Sequence, residues 1–180
     1  MQDRDKAMKI LDATAGCRGI WYQKNHPYVT FMDKRNGLYD SKTENVKFKQ
    51  RRRFKIKPNV VADWTKTIPF DNDTFDMVIF DPPFTTGTIG CKKNNFVTQY
   101  EVLNKTTWES DLRFGISELF RVLKPDGFFI FKWAELSIKI DKVLKLFPYR
   151  PLYGSQMGTR NHLYWIVFIK NRPEKPLLEG

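Results

Sequence analysis

Cysteine and histidine are scarce in this 180-residue chain, with two of each. Cys17 and Cys91 are too few for a disulfide framework, and they read as free thiols in a reducing compartment. His26 and His162 stand isolated, so neither a zinc site nor any other metal centre is expected. No apolar run approaches the ~20 residues that a membrane-spanning helix needs. Residues 1–9 are charged and carry no apolar signal-peptide core, so an intracellular, cytoplasmic protein is expected. Acidic residues are also in deficit, 20 against 31 Lys and Arg, a formal net charge of +11. Such an excess on a small domain favours a polyanionic partner, because each neutralised phosphate releases condensed counterions. Nucleic acid is the expected partner, and a membrane is not.

With 41% hydrophobic residues the chain can fill one core but hardly two. No internal repeat or linker composition divides it. A single domain over residues 1–170 is expected, followed by a loose tail at 171–180. Apolar runs at 8–11, 28–32, 60–62 and 76–80 read as strands, and they end in Asp12, Asp33, Asp63 and Asp81. Residues 13–19 form a small-residue turn, and 20–24 are expected to continue as the first helix. Residues 108–123 place Leu112, Ile116, Leu119, Phe120 and Leu123 at a helical period. Lys124-Pro125-Asp126-Gly127 stops that helix. Residues 128–133 then read as a strand, 138–147 as an amphipathic helix and 163–169 as a final strand. This alternation describes an α/β protein, a single Rossmann-like, doubly wound and mostly parallel sheet. Ligands of such sheets bind at the carboxyl ends of the strands, where all four aspartates fall.

Asp81-Pro82-Pro83-Phe84 follows the fourth strand directly. Pro83 fixes its own backbone and restricts Pro82, which makes a rigid, carbonyl-rich lip. The Asp81 carboxylate and the Pro82 carbonyl can both accept from a planar amine, and Phe84 offers a face for its ring. At the other end of the site, Gly16 and Gly19 occupy the loop after the first strand, where backbone must approach a ligand closely. Asp33 lies 21 residues after Asp12, about the spacing at which a carboxylate meets ribose hydroxyls. The loop Ala15-Gly16-Cys17-Arg18-Gly19 lacks the three-glycine pattern of a dinucleotide site and suits a ligand without phosphates.

Leu11-Asp12-Ala13-Thr14-Ala15-Gly16, the segment 68–76 (IPFDNDTFD) and the segment 118–127 (ELFRVLKPDG) together resemble class I S-adenosylmethionine-dependent methyltransferases, over residues 10–170. The resemblance implies a C-terminal antiparallel strand. It also implies S-adenosylmethionine as cofactor, S-adenosylhomocysteine as product, and no metal. The implied cofactor residues are Asp12, Ala13, Gly16, Gly19, Asp33, Asp63, Trp64 and Asp81. Among these, Asp12 and Gly16 line the methionine portion, Asp33 holds the ribose diol, Asp63 accepts from the adenine amine and Trp64 lies against its ring. Within this superfamily Asp-Pro-Pro-Phe is similar to the signature of enzymes that methylate exocyclic amines of nucleobases. Asp81, Pro82, Pro83 and Phe84 are then the catalytic set.

Basic residues occupy every odd position from 47 to 57: Lys47, Lys49, Arg51, Arg53, Lys55 and Lys57. With Val46, Phe48, Phe54 and Ile56 between them, the period is that of a strand with one basic face suited to a phosphate backbone. Loops at 85–107, with Lys92 and Lys93, and at 153–162, with Arg160, are further candidates for nucleic-acid contact. The expected activity is methylation of adenine N6 in DNA. An RNA adenine N6 or guanine N2 methyltransferase, or a non-catalytic binding subunit on the same fold, are the alternatives. The chain resembles the minimal methyltransferases carried by phages and prophages. At this size, target selectivity would come from loops, a homodimer or a partner subunit.

Overall fold

All four apolar runs that end in aspartate form strands of one sheet. The computed structural model describes residues 7–41, 52–87, 101–158 and 162–171. In chain order the elements are β1 (Ile10–Asp12), β2 (Val29–Asp33), β3 (Gly37–Ser41), β4 (Arg52–Ile56), β5 (Val60–Val61), β6 (Phe75–Phe80), β7 (Thr86–Gly87) and β8 (Leu103–Asn104). They continue with α1 (Trp108–Val122), β9 (Leu123–Ala134), α2 (Ile140–Leu144), β10 (Tyr153–Met157) and β11 (Leu163–Ile169). The main sheet has the order β10-β11-β9-β6-β1-β2-β5. Strands β5, β2, β1, β6 and β9 are parallel, whereas β11 runs antiparallel to β9 and β10 antiparallel to β11. The expected α/β class, a mostly parallel sheet with a C-terminal antiparallel strand, is the one observed, and β10 adds a second antiparallel strand at the edge. The strand order reverses between β1 and β6, which opens a crevice at their carboxyl ends.

Side-chain alternation explains which face is covered. Val78 and Phe80 of β6 and Phe129, Phe131 and Trp133 of β9 are fully buried against Leu112, Ile116, Leu119 and Phe120 of α1. Phe120 stacks on Phe129 with centroids 4.6 Å apart, and Phe147 stacks on Phe168 at 4.3 Å. Ile140 and Val143 of α2 join the same cluster, so both described helices cover one face. On the other face a smaller cluster of Ile10, Val29, Phe31 and Ile79 is closed by Ile20 and Trp21 from the loop between β1 and β2.

That loop is where a first helix was expected at 20–24, and none forms. Arg18 adopts a left-handed φ of 55°. Its guanidinium donates to the carbonyl of Lys24, to Asn25 Oδ1 and to the carbonyl of Lys57, and it lies 3.9 Å over the Phe31 ring. The Arg18 side chain thus claims backbone acceptors of a coiled loop, and Trp21 is drawn toward β1 instead of onto a helix face. The helix expected at 138–147 is shorter, with residues after α2 continuing as turns. Residues 153–157, read as loop, form the edge strand β10, which is exposed throughout and so shows no alternation.

The segments 68–76 and 118–127 mesh physically. Glu118 accepts from the Ile68 N–H, while Arg121 donates to the carbonyls of Ile68 and Phe70 and to Asn72 Oδ1. Arg121 also holds the Glu118 carboxyl below the usual carboxylate range. The basic strand is real where it is described: β4 pairs antiparallel with β3, Ile56 is buried, Phe54 stacks on Tyr39, and Arg53, Lys55 and Lys57 are exposed. Lys47, Lys49, Arg51, Lys92, Lys93 and Arg160, like Cys91 and the tail from 172, lie outside the described residues.

One glycine joins the fold to the site. A Cβ on Gly115 of α1 would sit 2.5 Å from Trp64 Cε3 and 3.0 Å from the Trp64 carbonyl oxygen. Gly to Ala inside a helix ordinarily stabilises by about 1 kcal/mol. Gly115→Ala is expected instead to destabilise by about 1–3 kcal/mol, because packed backbone and ring must both give way. Urea denaturation followed by tryptophan fluorescence measures it; a stabilised variant would contradict this packing.

Candidate active site

A cavity of about 270 Å³ opens at the crevice between β1 and β6. Asp12, Gly16, Gly19, Asp33, Trp64, Asp81, Pro83 and Lys132 are among the residues that line it. The backbone just after β1 forms the floor, with the Ala13 N–H donating to the Ile79 carbonyl and the Ala15 N–H to the Met32 carbonyl. The turn therefore spans both neighbouring strands and cannot shift without breaking either.

Three aspartates from three strands face this space, each held differently. Asp12 is 1% exposed. Its Oδ1 accepts from the Thr14 N–H at 3.1 Å and its Oδ2 from Trp21 Nε1 at 2.7 Å. Burial pushes its pKa up to about 7; these two donors oppose the rise and the charges of Asp81 and Asp33 add to it. Asp33 is 5% exposed. Its Oδ2 accepts from the Gly16 N–H at 2.9 Å, an approach made by the positive φ of Gly16. Arg35 supplies the other donors, its N–H and Nε to Oδ1 and its Nη2 to Oδ2. Arg35 Nε also lies 3.6 Å from Glu101, which pairs with Lys34 at 3.1 Å. Asp81 is tied to the first loop, since its N–H donates to Thr14 Oγ1 at 2.9 Å. Its Oδ2 accepts from Lys132 Nζ at 2.6 Å. Burial raises the Asp81 pKa and the Lys132 charge counteracts this without cancelling it.

The structure brings Asp12, Ala13, Gly16, Gly19, Asp33, Trp64, Asp81 and Pro83 to one cavity. Pro82 is buried behind it, and Phe84 packs half-buried against the main core. Asp63 is not on the cavity wall; its Oδ1 caps its own turn, accepting from the Thr65 N–H and hydroxyl. Arg35, Glu101 and Trp21 are participants that the sequence does not point to, whereas Lys132, at the end of its strand, was expected near the pocket. Lys132 had a signal, a lone charge in the otherwise apolar run 128–134. Trp21 had none, because its reach to Asp12 depends on the missing helix. The exposed β4 face adjoins this end of the molecule through the Arg18–Lys57 hydrogen bond. Among the described residues, no helix is long and apolar enough to cross a membrane, and no group of three or more His, Cys, Asp or Glu is placed to hold a metal ion.

The Asp12 environment has a consequence for stability. Its folded-state pKa lies above its unfolded value, so its contribution is fully present below about pH 4 and is lost as pH rises through about 7. At about 1.4 kcal/mol per unit, wild type should lose a few kcal/mol across that window relative to Asp12→Asn. Chemical denaturation of both proteins at pH 4.5, 6 and 8 gives the difference. Parallel pH profiles would contradict the buried, proton-binding Asp12.

No family model matches the sequence, and no curated protein matches it. Solved structures do match. The PH0226 protein from Pyrococcus horikoshii OT3 superposes with a TM-score of 0.56 at 17% identity, over 95% of this chain and 85% of that one. The N-methyltransferase NodS from Bradyrhizobium japonicum WM9 gives 0.51 at 9% identity, covering 92% and 86%. The 1,6-didemethyltoxoflavin-N1-methyltransferase of Burkholderia thailandensis, solved with its substrate and S-adenosylhomocysteine, gives 0.52 at 12% identity, covering 93% and 72%. At such identities the likeness establishes architecture: this chain has the class I methyltransferase fold.

Proposed function

We propose that the protein is an S-adenosylmethionine-dependent methyltransferase acting on an exocyclic amine of a nucleobase, with adenine N6 in DNA as the leading target. The residues present fit the cofactor. Asp12 and Asp33 offer buried carboxylates for its ammonium and ribose hydroxyls, and Trp64 offers an apolar wall for the adenine ring. Asp33 already accepts four hydrogen bonds, three of them from Arg35, so a ribose diol would take the places of the Arg35 side chain. Glu101, 3.6 Å from Arg35 Nε, is ready to receive it.

One observation carries the reading: Asp81 stands on the same cavity as these residues, and Thr14 of the cofactor loop fixes its backbone. The acceptor for the amine and the cofactor's cradle are thereby one rigid unit. Held by Asp12, Asp33 and Trp64, the cofactor would supply an electrophilic sulfonium methyl for the amine nitrogen, with S-adenosylhomocysteine as the leaving group. Asp81 accepts from the amine N–H, turns its lone pair outward and takes the proton that nitrogen loses. The exposed Arg53, Lys55 and Lys57 face supports a polyanionic substrate, in keeping with the +11 net charge. In a duplex the target base must leave the stack to reach Asp81. Target selectivity would rest on loops, a second copy of the chain or a partner subunit.

Asp81→Ala is expected to lower methyl transfer at least ~100-fold, while S-adenosylhomocysteine binding by calorimetry and DNA binding by anisotropy change only a few-fold. Transfer at an undiminished rate would remove Asp81 from the chemistry and with it this assignment.

A further inference from the structure

Lys132 interrupts an apolar strand at the point where that strand meets the cavity. A lysine that deep is costly unless paired. Its side chain and that of Asp81 are each 17% exposed and meet at 2.6 Å. Its cross-strand partner is Trp165, whose ring centroid lies 5.7 Å from the ammonium. The ammonium is therefore confined between an indole and a carboxylate. Asp81 in turn is held at two points, its N–H by Thr14 Oγ1 and its Oδ2 by Lys132. Among the described residues Oδ1 accepts no hydrogen bond, although Asp81 lines the cavity. One anchor holds the Asp81 backbone and the other holds Oδ2, which leaves the second carboxylate oxygen for a ligand.

We propose that Lys132 is the positioning residue of the site: by occupying Oδ2 it dedicates Oδ1 to the incoming amine and keeps that oxygen an acceptor. This rests on the methyl-transfer reading above. The ionisable groups facing Asp81 are Lys132 from β9 and Asp12 from β1; Asp33, Lys34, Arg35 and Glu101 line the remainder of the cavity. Removing the Lys132 cation leaves Asp81 with burial and the Asp12 charge, both of which favour its protonated form. A protonated Asp81 can neither draw the amine forward nor take its proton. The pair thus acts on rate and on its pH dependence, whereas a merely stabilising ion pair would act on folding alone.

The test compares wild type, Lys132→Met and Lys132→Arg. Methyl transfer to DNA is followed from pH 5.5 to 9, and the Asp81 carboxyl is titrated by carbon NMR in the free protein, its resonance assigned by loss in Asp81→Asn. In Lys132→Met, kcat is expected to fall at least ~10-fold with the cofactor Kd unchanged. The acid limb of kcat and the carboxyl midpoint should both move up by about one unit or more. Lys132→Arg, which keeps the charge, should restore both positions. Equal midpoints in wild type and Lys132→Met, or an unmoved acid limb, would overturn the assignment while leaving methyl transfer standing. A wild type that methylates no nucleic acid would instead overturn the methyl-transfer reading, and the amine as the occupant of Oδ1 with it. The titration needs no turnover, so even a weakly active variant shows whether Lys132 keeps Asp81 ionised, and the acid limb of kcat shows whether that state matters for transfer.

Discussion

The hydrogen bond from the Asp81 N–H to Thr14 Oγ1 joins two loops 67 residues apart in sequence. β1 and β6 are adjacent parallel strands, and the chain leaves them in opposite directions around the sheet. The backbone bond from the Ala13 N–H to the Ile79 carbonyl already ties the first loop to β6, and the Asp81–Thr14 bond adds a tie between the two loops themselves. The bridge fixes them at a single distance. The proposed methyl transfer would depend mostly on alignment, and this contact is one of those that hold the two loops in register.

Charge is the second constraint. Asp12, Asp33 and Asp81 share a cavity at the carboxyl end of the β-sheet, with Trp64 on its wall. Three carboxylates cannot all ionise there without compensation. Each receives a different one: indole and amide N–H groups for Asp12, a guanidinium and an amide for Asp33, an ammonium for Asp81. A cationic ligand entering this space would find acceptors already oriented, and its arrival would relieve the repulsion among them. Among the described residues, Arg53, Lys55 and Lys57 are exposed on and beside β4 and are not part of the cavity lining.

Much of this was legible in the sequence because parallel strands buried on both faces read as short apolar runs, and their ends were marked by aspartate. The Ile68–Asn72 and Glu118–Arg121 contacts show why two distant segments announce the fold together: each supplies the other's missing hydrogen-bond partners. The failures have equally local causes. Residues 20–24 have the composition of a helix start, but Arg18 reaches forward to the Lys24 carbonyl and holds a coil. Strand β10 lies at the sheet edge and is exposed on every residue, so no alternation could mark it. Spacing also does not show that the Asp63 carboxylate caps Thr65, or that Arg35 fills the acceptors of Asp33 from only two residues away. Side-chain competition for a polar partner is decided by geometry, and spacing alone does not carry it.

Transfer of a methyl group to a base amine is witnessed most directly by its product. Purified protein, labelled S-adenosylmethionine, and unmethylated DNA or total RNA in separate reactions would be digested to nucleosides and resolved by mass spectrometry. The account predicts N6-methyldeoxyadenosine from the DNA reaction. A methylated ribonucleoside in its place would keep the chemistry and change the polymer. No labelled nucleoside from either reaction, with S-adenosylhomocysteine binding intact, would contradict the account.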